Sequence, residues 1–229
     1  MPAPVRLELH RGGHTADAIE NGAMTLKAQQ SARARVYLRL AEAFRLPGAE
    51  LPKCIAELET ALSLLDSEAS KTAAALRRYC TIDPKVLQRD HTALFIGPFL
   101  APAPPYGSVY LENKRRLMSD STAAARDHYL RRGLDLRADF REAPDHICAE
   151  LEFMYVLVGQ SCLAIDGRDG ELLAESLRQQ RSFLSCHLGA WIGLFATRVG
   201  AHARTEFYRL LARTTAVFIA EEIEALPEV

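Results

Sequence analysis

The chain has 229 residues, 48% hydrophobic and 25% charged, with 28 basic side chains against 29 acidic ones. That length suits one large domain or two small ones with a buried core, and this composition excludes wholesale disorder, collagen-like repetition and a disulfide-dense mini-scaffold. A net charge of -1 argues against a general nucleic-acid binder.

Residues 1–24 lack helical periodicity and contain Gly12, Gly13 and Gly22, so they read as a loose extension, without the apolar core of a secretory signal. From Leu26 to Leu46, Val36, Leu40, Ala43 and Phe44 recur at helical spacing up to Pro47-Gly48. Ile55, Leu58, Leu62 and Leu65 mark a second helix, and Ala73, Leu76 and Tyr79 a third. Asp83-Pro84 opens a fourth, with Asp83 as its cap and Pro84 at its first position, and Val86, Leu87, Leu94 and Phe95 lie along it.

The periodicity stops after Phe95. Gly97–Gly107 holds four prolines and fits neither a helix nor a central strand; it reads as a stiff loop, of the sort more often functional than decorative. Helical signals resume at Val109–Met118. Ser121 or Thr122 is set to cap the next helix, which runs to Arg131 and stops at Gly133. Residues 134–143 connect to a strongly apolar helix opening at Pro144, with two more over 169–200 (broken near Gly189 or Gly193) and 203–224. No segment sustains strand-like alternation, so the fold class is all-α. The uncharged apolar runs Phe153–Ile165 and Leu188–Thr197 fall short of the ~20 residues of a membrane helix. Five scattered cysteines without a CxxC pair read as buried reduced thiols of a cytoplasmic protein. Trp191, Phe195, Phe207 and Phe218 read as core.

The sharpest polar cluster is Glu142, Asp145, His146, Glu150 and Glu152. On a helix His146 and Glu150 share a face, and Asp145 and Glu152 a neighbouring one. The plain account makes Asp145 a first-turn carboxylate favoured by the helix dipole and His146–Glu150 a surface pair. A di-metal reading wants Glu-x-x-His twice, whereas His-x-x-x-Glu occurs once here. A catalytic reading lacks a nucleophile motif and a phosphate loop. The third account is recognition: carboxylates beside an aromatic-tipped loop suit an arginine-bearing peptide, because Arg pairs bidentately with carboxylates.

Four motifs then occur in order: Leu94-Phe95-x-Gly97-Pro98, Pro102-Ala-Pro-Pro-Tyr106-Gly-Ser-Val-Tyr-Leu111, Leu117-Met-Ser-Asp-Ser-Thr122, and Pro144-Asp-His-Ile-x-x-Glu150-Leu-Glu-Phe-Met154. Together they resemble the TorD/DmsD family of redox-enzyme maturation chaperones, with a compatible helical pattern over residues 26–225. The resemblance implies one all-helical domain over residues 25–229, of about eight to ten helices. It also implies a cytoplasmic, non-enzymatic chaperone that binds the twin-arginine leader, and often the body, of a molybdopterin-dependent oxidoreductase, delaying export until the cofactor is inserted.

Carried onto this chain, the leader-associated residues are Pro105, Tyr106, Gly107, Asp145 and His146, with Leu94 and Phe95 supporting the groove. Glu142, Asp145, Glu150 and Glu152 would meet the leader's guanidinium groups, and Leu94, Phe95 and Tyr106 its apolar part. Two positions depart from the family pattern: His91 stands where an aromatic is usual and Ser119 where glycine is frequent. No resident cofactor or metal is implied, and no nucleic-acid partner or stable membrane insertion. Transient contact with molybdopterin cofactor, weak guanine-nucleotide binding and a homodimer stay open. A chaperone for a cytoplasmic nitrate-reductase-type client is the alternative within the family, and a small nucleotide-binding module or enzyme using Asp145, His146 and Glu150 the alternative outside it.

Overall fold

The computed structural model describes residues 14–97, 100–112 and 120–226, with side chains from Thr25 onward. Among these residues the chain forms ten α-helices and no strand, an all-α architecture as the periodicity predicts. Helix α1 spans His14–Ala43, so it starts at His14 rather than at Leu26, and the expected loose extension is helical over residues 14–24. Residues 14–24 hold several good helix formers, no proline and a single glycine, so a helix nucleated downstream extends through them at little cost. Residues 1–13 lie outside the described part.

Helices α2 (Leu51–Leu64) and α3 (Ala69–Leu76) carry the predicted apolar spacing, except that Leu65 and Tyr79 fall just beyond their ends. Helix α4 (Pro84–His91) opens as expected: the Asp83 carboxylate accepts the Lys85 N–H at 2.9 Å. It widens into a π turn over Thr92–Ile96, where the Gly97 N–H donates to the Thr92 carbonyl at 2.7 Å and Gly97 turns the chain away at φ +62°.

Between Val109 and Met118 the described helix is only α5, Ser108–Leu111, and residues 113–119 lie outside the description. Helix α6 (Asp120–Leu130) begins before Ser121, so Ser121 is not its cap. The Ser121 N–H and hydroxyl both donate to Glu112 Oε1, at 3.0 and 2.8 Å. Gly133 is the predicted stop: at φ +67° its N–H bonds Leu130 O while the Leu134 N–H reaches Tyr129 O, a Schellman closure.

Helices α7 (Ile147–Asp166), α8 (Gly170–Cys186), α9 (Leu188–His202) and α10 (Glu206–Ala225) complete the bundle. The break predicted near Gly189 falls at His187. A β-carbon on Gly189 would come within 2.5 Å of both Ile223 Cδ1 and Leu184 O, so only glycine fits this corner. Helix α7 has the length and hydropathy of a membrane span, longer than the uncharged run alone suggests, yet 61% of that window is buried within the fold.

Helix α1 packs on α7 and α2, and α10 on α9 and α3. Between them lie Trp191, Tyr37, Tyr208, Phe183, Phe195, Phe207 and Phe218, all fully buried. Three polar ties cross this core. Arg33 of α1 meets Glu222 of α10, Ser161 of α7 meets Ser176 of α8 at 2.9 Å, and Asp90 of α4 accepts from the backbone N–H groups of Arg204 and Thr205, just ahead of α10. Cys54, Cys80 and Cys148 are buried as read, whereas Cys162 is partly exposed and Cys186 is on the surface; all five are free. His91 fills its aromatic-type position by packing edge-on to Phe95, with ring centroids 5.0 Å apart.

Candidate functional site

The proline loop is fastened to the start of α7. The Gly107 N–H donates to the Asp145 carbonyl and the Ile147 N–H to the Pro105 carbonyl, both at 2.9 Å, forming one antiparallel bridge between Tyr106 and His146. The Asp145 carboxylate strengthens this junction: Oδ2 accepts the Ser108 N–H at 2.8 Å. Tyr106 donates its hydroxyl to Glu142 and sets its ring edge-on to His146, which in turn meets Phe140 edge-on.

Helix α7 starts at Ile147, not Pro144, with His146 as its cap: Nδ1 accepts the Cys148 N–H at 3.2 Å. That separates residues that helical spacing puts together. Asp145 precedes the helix and serves the Ser108 amide instead of α7's dipole. It is 1% exposed. Glu150, also 1% exposed, turns inward and accepts the Trp191 indole N–H at 2.8 Å. Burial pushes the Glu150 carboxyl well above the ordinary range, and the neighbouring Asp145 carboxylate adds to the rise. The surface pair between His146 and Glu150 therefore does not exist, and neither buried carboxyl presents itself to a partner from solvent.

Leu94 and Phe95 likewise do not line an open groove. Leu94 is buried and its carbonyl accepts the Ala103 N–H at 3.0 Å, holding the proline loop, while Phe95 is packed among Phe44, His91, Phe195 and Tyr208. They support the site from beneath, the lesser of the two roles expected of them. Gly107 leaves room for Trp191, since a β-carbon there would sit 2.9 Å from the indole Nε1. Trp191 also stacks on Tyr110 at 5.5 Å.

The acidic residues that do face outward are Glu142, which is exposed, and Glu152, whose side chain is 40% exposed and paired with Arg45. Glu152 stands on the wall of a groove of about 460 Å³ between α7 and the 134–140 connector. Tyr129, Leu136, Phe140, Phe153 and Val156 supply its apolar surface, and Asp135, Asp139 and Glu152 its carboxylates. Phe140 joins this groove to the His146–Tyr106 ring pair. Of the expected residues, Tyr106, Glu142, His146 and Glu152 thus gather along one accessible face, with Pro105, Gly107, Asp145 and Glu150 behind it.

Phe140, Arg45 and Trp191 were not singled out as site residues. Phe140, Leu134 and Leu136 gave a signal, being apolar residues within a charged connector. Arg45 gave none, 107 residues from its partner. Trp191 read as core, and it is core that also holds Glu150. Among the described residues no group of three or more His, Cys, Asp or Glu is arranged to hold a metal ion.

Desolvation lowers His146 and His187 to about 4, so both are neutral at pH 7. Each binds its proton more readily in the unfolded chain, near the ordinary value of about 6.5. Stability is therefore full above about pH 6.5 and declines as pH falls toward 4. Thermal melts from pH 7.5 to 4.5 are expected to show this decline, and His187→Gln should flatten it. An unchanged slope in that variant would place the proton uptake elsewhere.

Residues 62–197 match the family model described as nitrate reductase delta subunit. The chain is 31% identical over 157 residues to the Tat proofreading chaperone DmsD of Salmonella typhi, covering 69% of each chain. It is 29% identical to the chaperone protein TorD of a Psychrobacter species, over 91% of this chain and 97% of that one. The perchlorate reductase assembly chaperone of Dechloromonas aromatica is 27% identical, over 85% of this chain and 90% of the relative.

Proposed function

The chain belongs to the TorD/DmsD family of redox-enzyme maturation chaperones, matched by the nitrate reductase delta subunit model, and from that premise we propose that it binds the twin-arginine leader of a molybdopterin oxidoreductase precursor in the cytoplasm. The family is one of chaperones, not enzymes. In the proposed role the protein holds the precursor until its cofactor is inserted, and only then frees the leader for export.

The observation that carries this reading is the groove beside Glu152, continued through Phe140 and His146 to the Tyr106–Glu142 pair. A twin-arginine leader presents two guanidinium groups followed by an apolar segment. Glu142 and Glu152 are exposed carboxylates suited to bidentate contact with the first, and Leu136, Phe140, Phe153 and Val156 are apolar surface for the second. Support also comes from the relative named as a Tat proofreading chaperone. A leader that orders on binding loses chain entropy, so affinity is expected on the order of micromolar to sub-micromolar.

The test is a fluorescence-anisotropy titration with a labelled leader peptide carrying Arg-Arg and its apolar segment, beside the same peptide with Lys-Lys. Saturable binding of the first and at least tenfold weaker binding of the second supports the reading. Equal binding of the two would reduce the interaction to general charge attraction. A pull-down from the native cytoplasm then separates the branches: an uncleaved leader on the captured oxidoreductase marks an exported client, and a leaderless enzyme a cytoplasmic one.

A further inference from the structure

We infer that Arg45 is an internal competitor at the leader groove, a guanidinium of the chain's own that occupies Glu152 until a leader arginine displaces it. The inference rests on the leader-binding reading above and adds to it a residue that sets affinity.

Arg45 lies just beyond the end of α1 and lines the groove together with Glu152. Its guanidinium Nη2 pairs with Glu152 Oε1, and the two side chains are 56% and 40% exposed. An ion pair this exposed contributes little to folding stability, so stability gives little account of its place. Its position inside the groove gives a better one. The other two carboxylates there are also matched with the protein's own arginines: Asp135 with Arg126 at 3.1 Å, and Asp139 with Arg137 at 3.0 and 2.9 Å. Those are short-range contacts, nine and two residues apart, the first reaching back to the adjoining α6 and the second within the connector. Arg45 alone arrives from a distant element and bridges the groove from α1 to α7.

The consequence is a threshold. A ligand cation must outcompete an intramolecular guanidinium already in place, and must do so against the repulsion of that displaced charge. A second guanidinium, with its planar fork matched to a carboxylate, is better suited to this exchange than an ammonium, which acts as a compact point charge. Because the same displacement precedes either ligand, Arg45 lowers the affinity for arginine and lysine leaders by one common factor.

The experiment measures the Arg-Arg and Lys-Lys leader peptides against wild type, Arg45→Gln, Arg45→Lys, Glu152→Gln and the Arg45→Gln/Glu152→Gln double variant. Arg45→Gln is expected to bind the Arg-Arg peptide about three- to fivefold tighter, the range of one exposed ion pair, and the Lys-Lys peptide with a similar gain. The ratio between the peptides should therefore stay near its wild-type value. Arg45→Lys should lie between wild type and Arg45→Gln. In the Glu152→Gln background the gain should vanish, because the contested carboxylate is gone. If wild type binds the Arg-Arg peptide and Arg45→Gln binds it no tighter, or more weakly, Arg45 is a bystander or a ligand contact and the inference is overturned while the leader reading stands. If wild type binds neither peptide, the leader reading itself fails and takes the inference with it.

Discussion

Glu222→Ala is expected to cost about 3–5 kcal/mol, enough to unfold a marginal domain under mild denaturant. The Arg33 Nε donates to both carboxylate oxygens of Glu222, at 2.8 and 3.0 Å, and Nη2 adds a contact at 2.6 Å. Gln30 and Gln180 accept from the remaining faces of the guanidinium at 2.6 and 2.9 Å, and Tyr37 donates to Glu222 at 3.0 Å. Both charged side chains are 7% exposed. Burial works against the charge on Arg33, yet the adjoining Glu222 outweighs it and holds the guanidinium charged. Removing Glu222 leaves that charge buried with only neutral acceptors, which is why the loss is so large. The double variant Arg33→Met/Glu222→Leu removes both charges and should recover most of the stability. Urea denaturation of the three proteins checks this. A Glu222→Ala midpoint equal to that of wild type would mean the cavity floods and water takes over the pairing.

This network shows where the sequence falls silent. Asp83-Pro84, Gly133 and the proline loop were legible because each acts within a few residues: a cap, a left-handed stop, and a run of fixed backbone angles. The apolar spacing of α2 and α10 likewise carried the bundle. Arg33–Glu222, Asp90–Thr205 and Arg45–Glu152 join elements 189, 115 and 107 residues apart, and no local pattern announces them. Glu150 is a subtler case. It does lie on the helix, but α7 is apolar on nearly every side, so no polar stripe tells which face meets water. His146 then proved to be the cap, outside the helix whose face it was expected to share. The spacing thus placed at the surface two carboxyls, Asp145 and Glu150, that the fold buries.

That division predicts opposite behaviour from an exposed pair of acidic substitutions and a single buried one. Glu142→Gln/Glu152→Gln removes two exposed acceptors and should weaken Arg-Arg leader binding by about ten- to a hundredfold, the range for losing charge-assisted contacts. Its stability should stay within about 0.5 kcal/mol of wild type, as is usual for surface changes. Asp145→Ala strips the Ser108 amide of its buried acceptor and should destabilise by about 1–3 kcal/mol. Its binding should fall only as far as the loop detaches, which hydrogen exchange at the Gly107 and Ile147 amides reads directly, since both close the Tyr106–His146 bridge. Anisotropy titrations and denaturation on the same samples separate the two effects. Were Asp145→Ala to abolish binding with its stability and exchange unchanged, while Glu142→Gln/Glu152→Gln bound normally, the leader would have to reach the buried carboxylate. The proline loop would then open to admit it, and the outer groove would not be the binding surface.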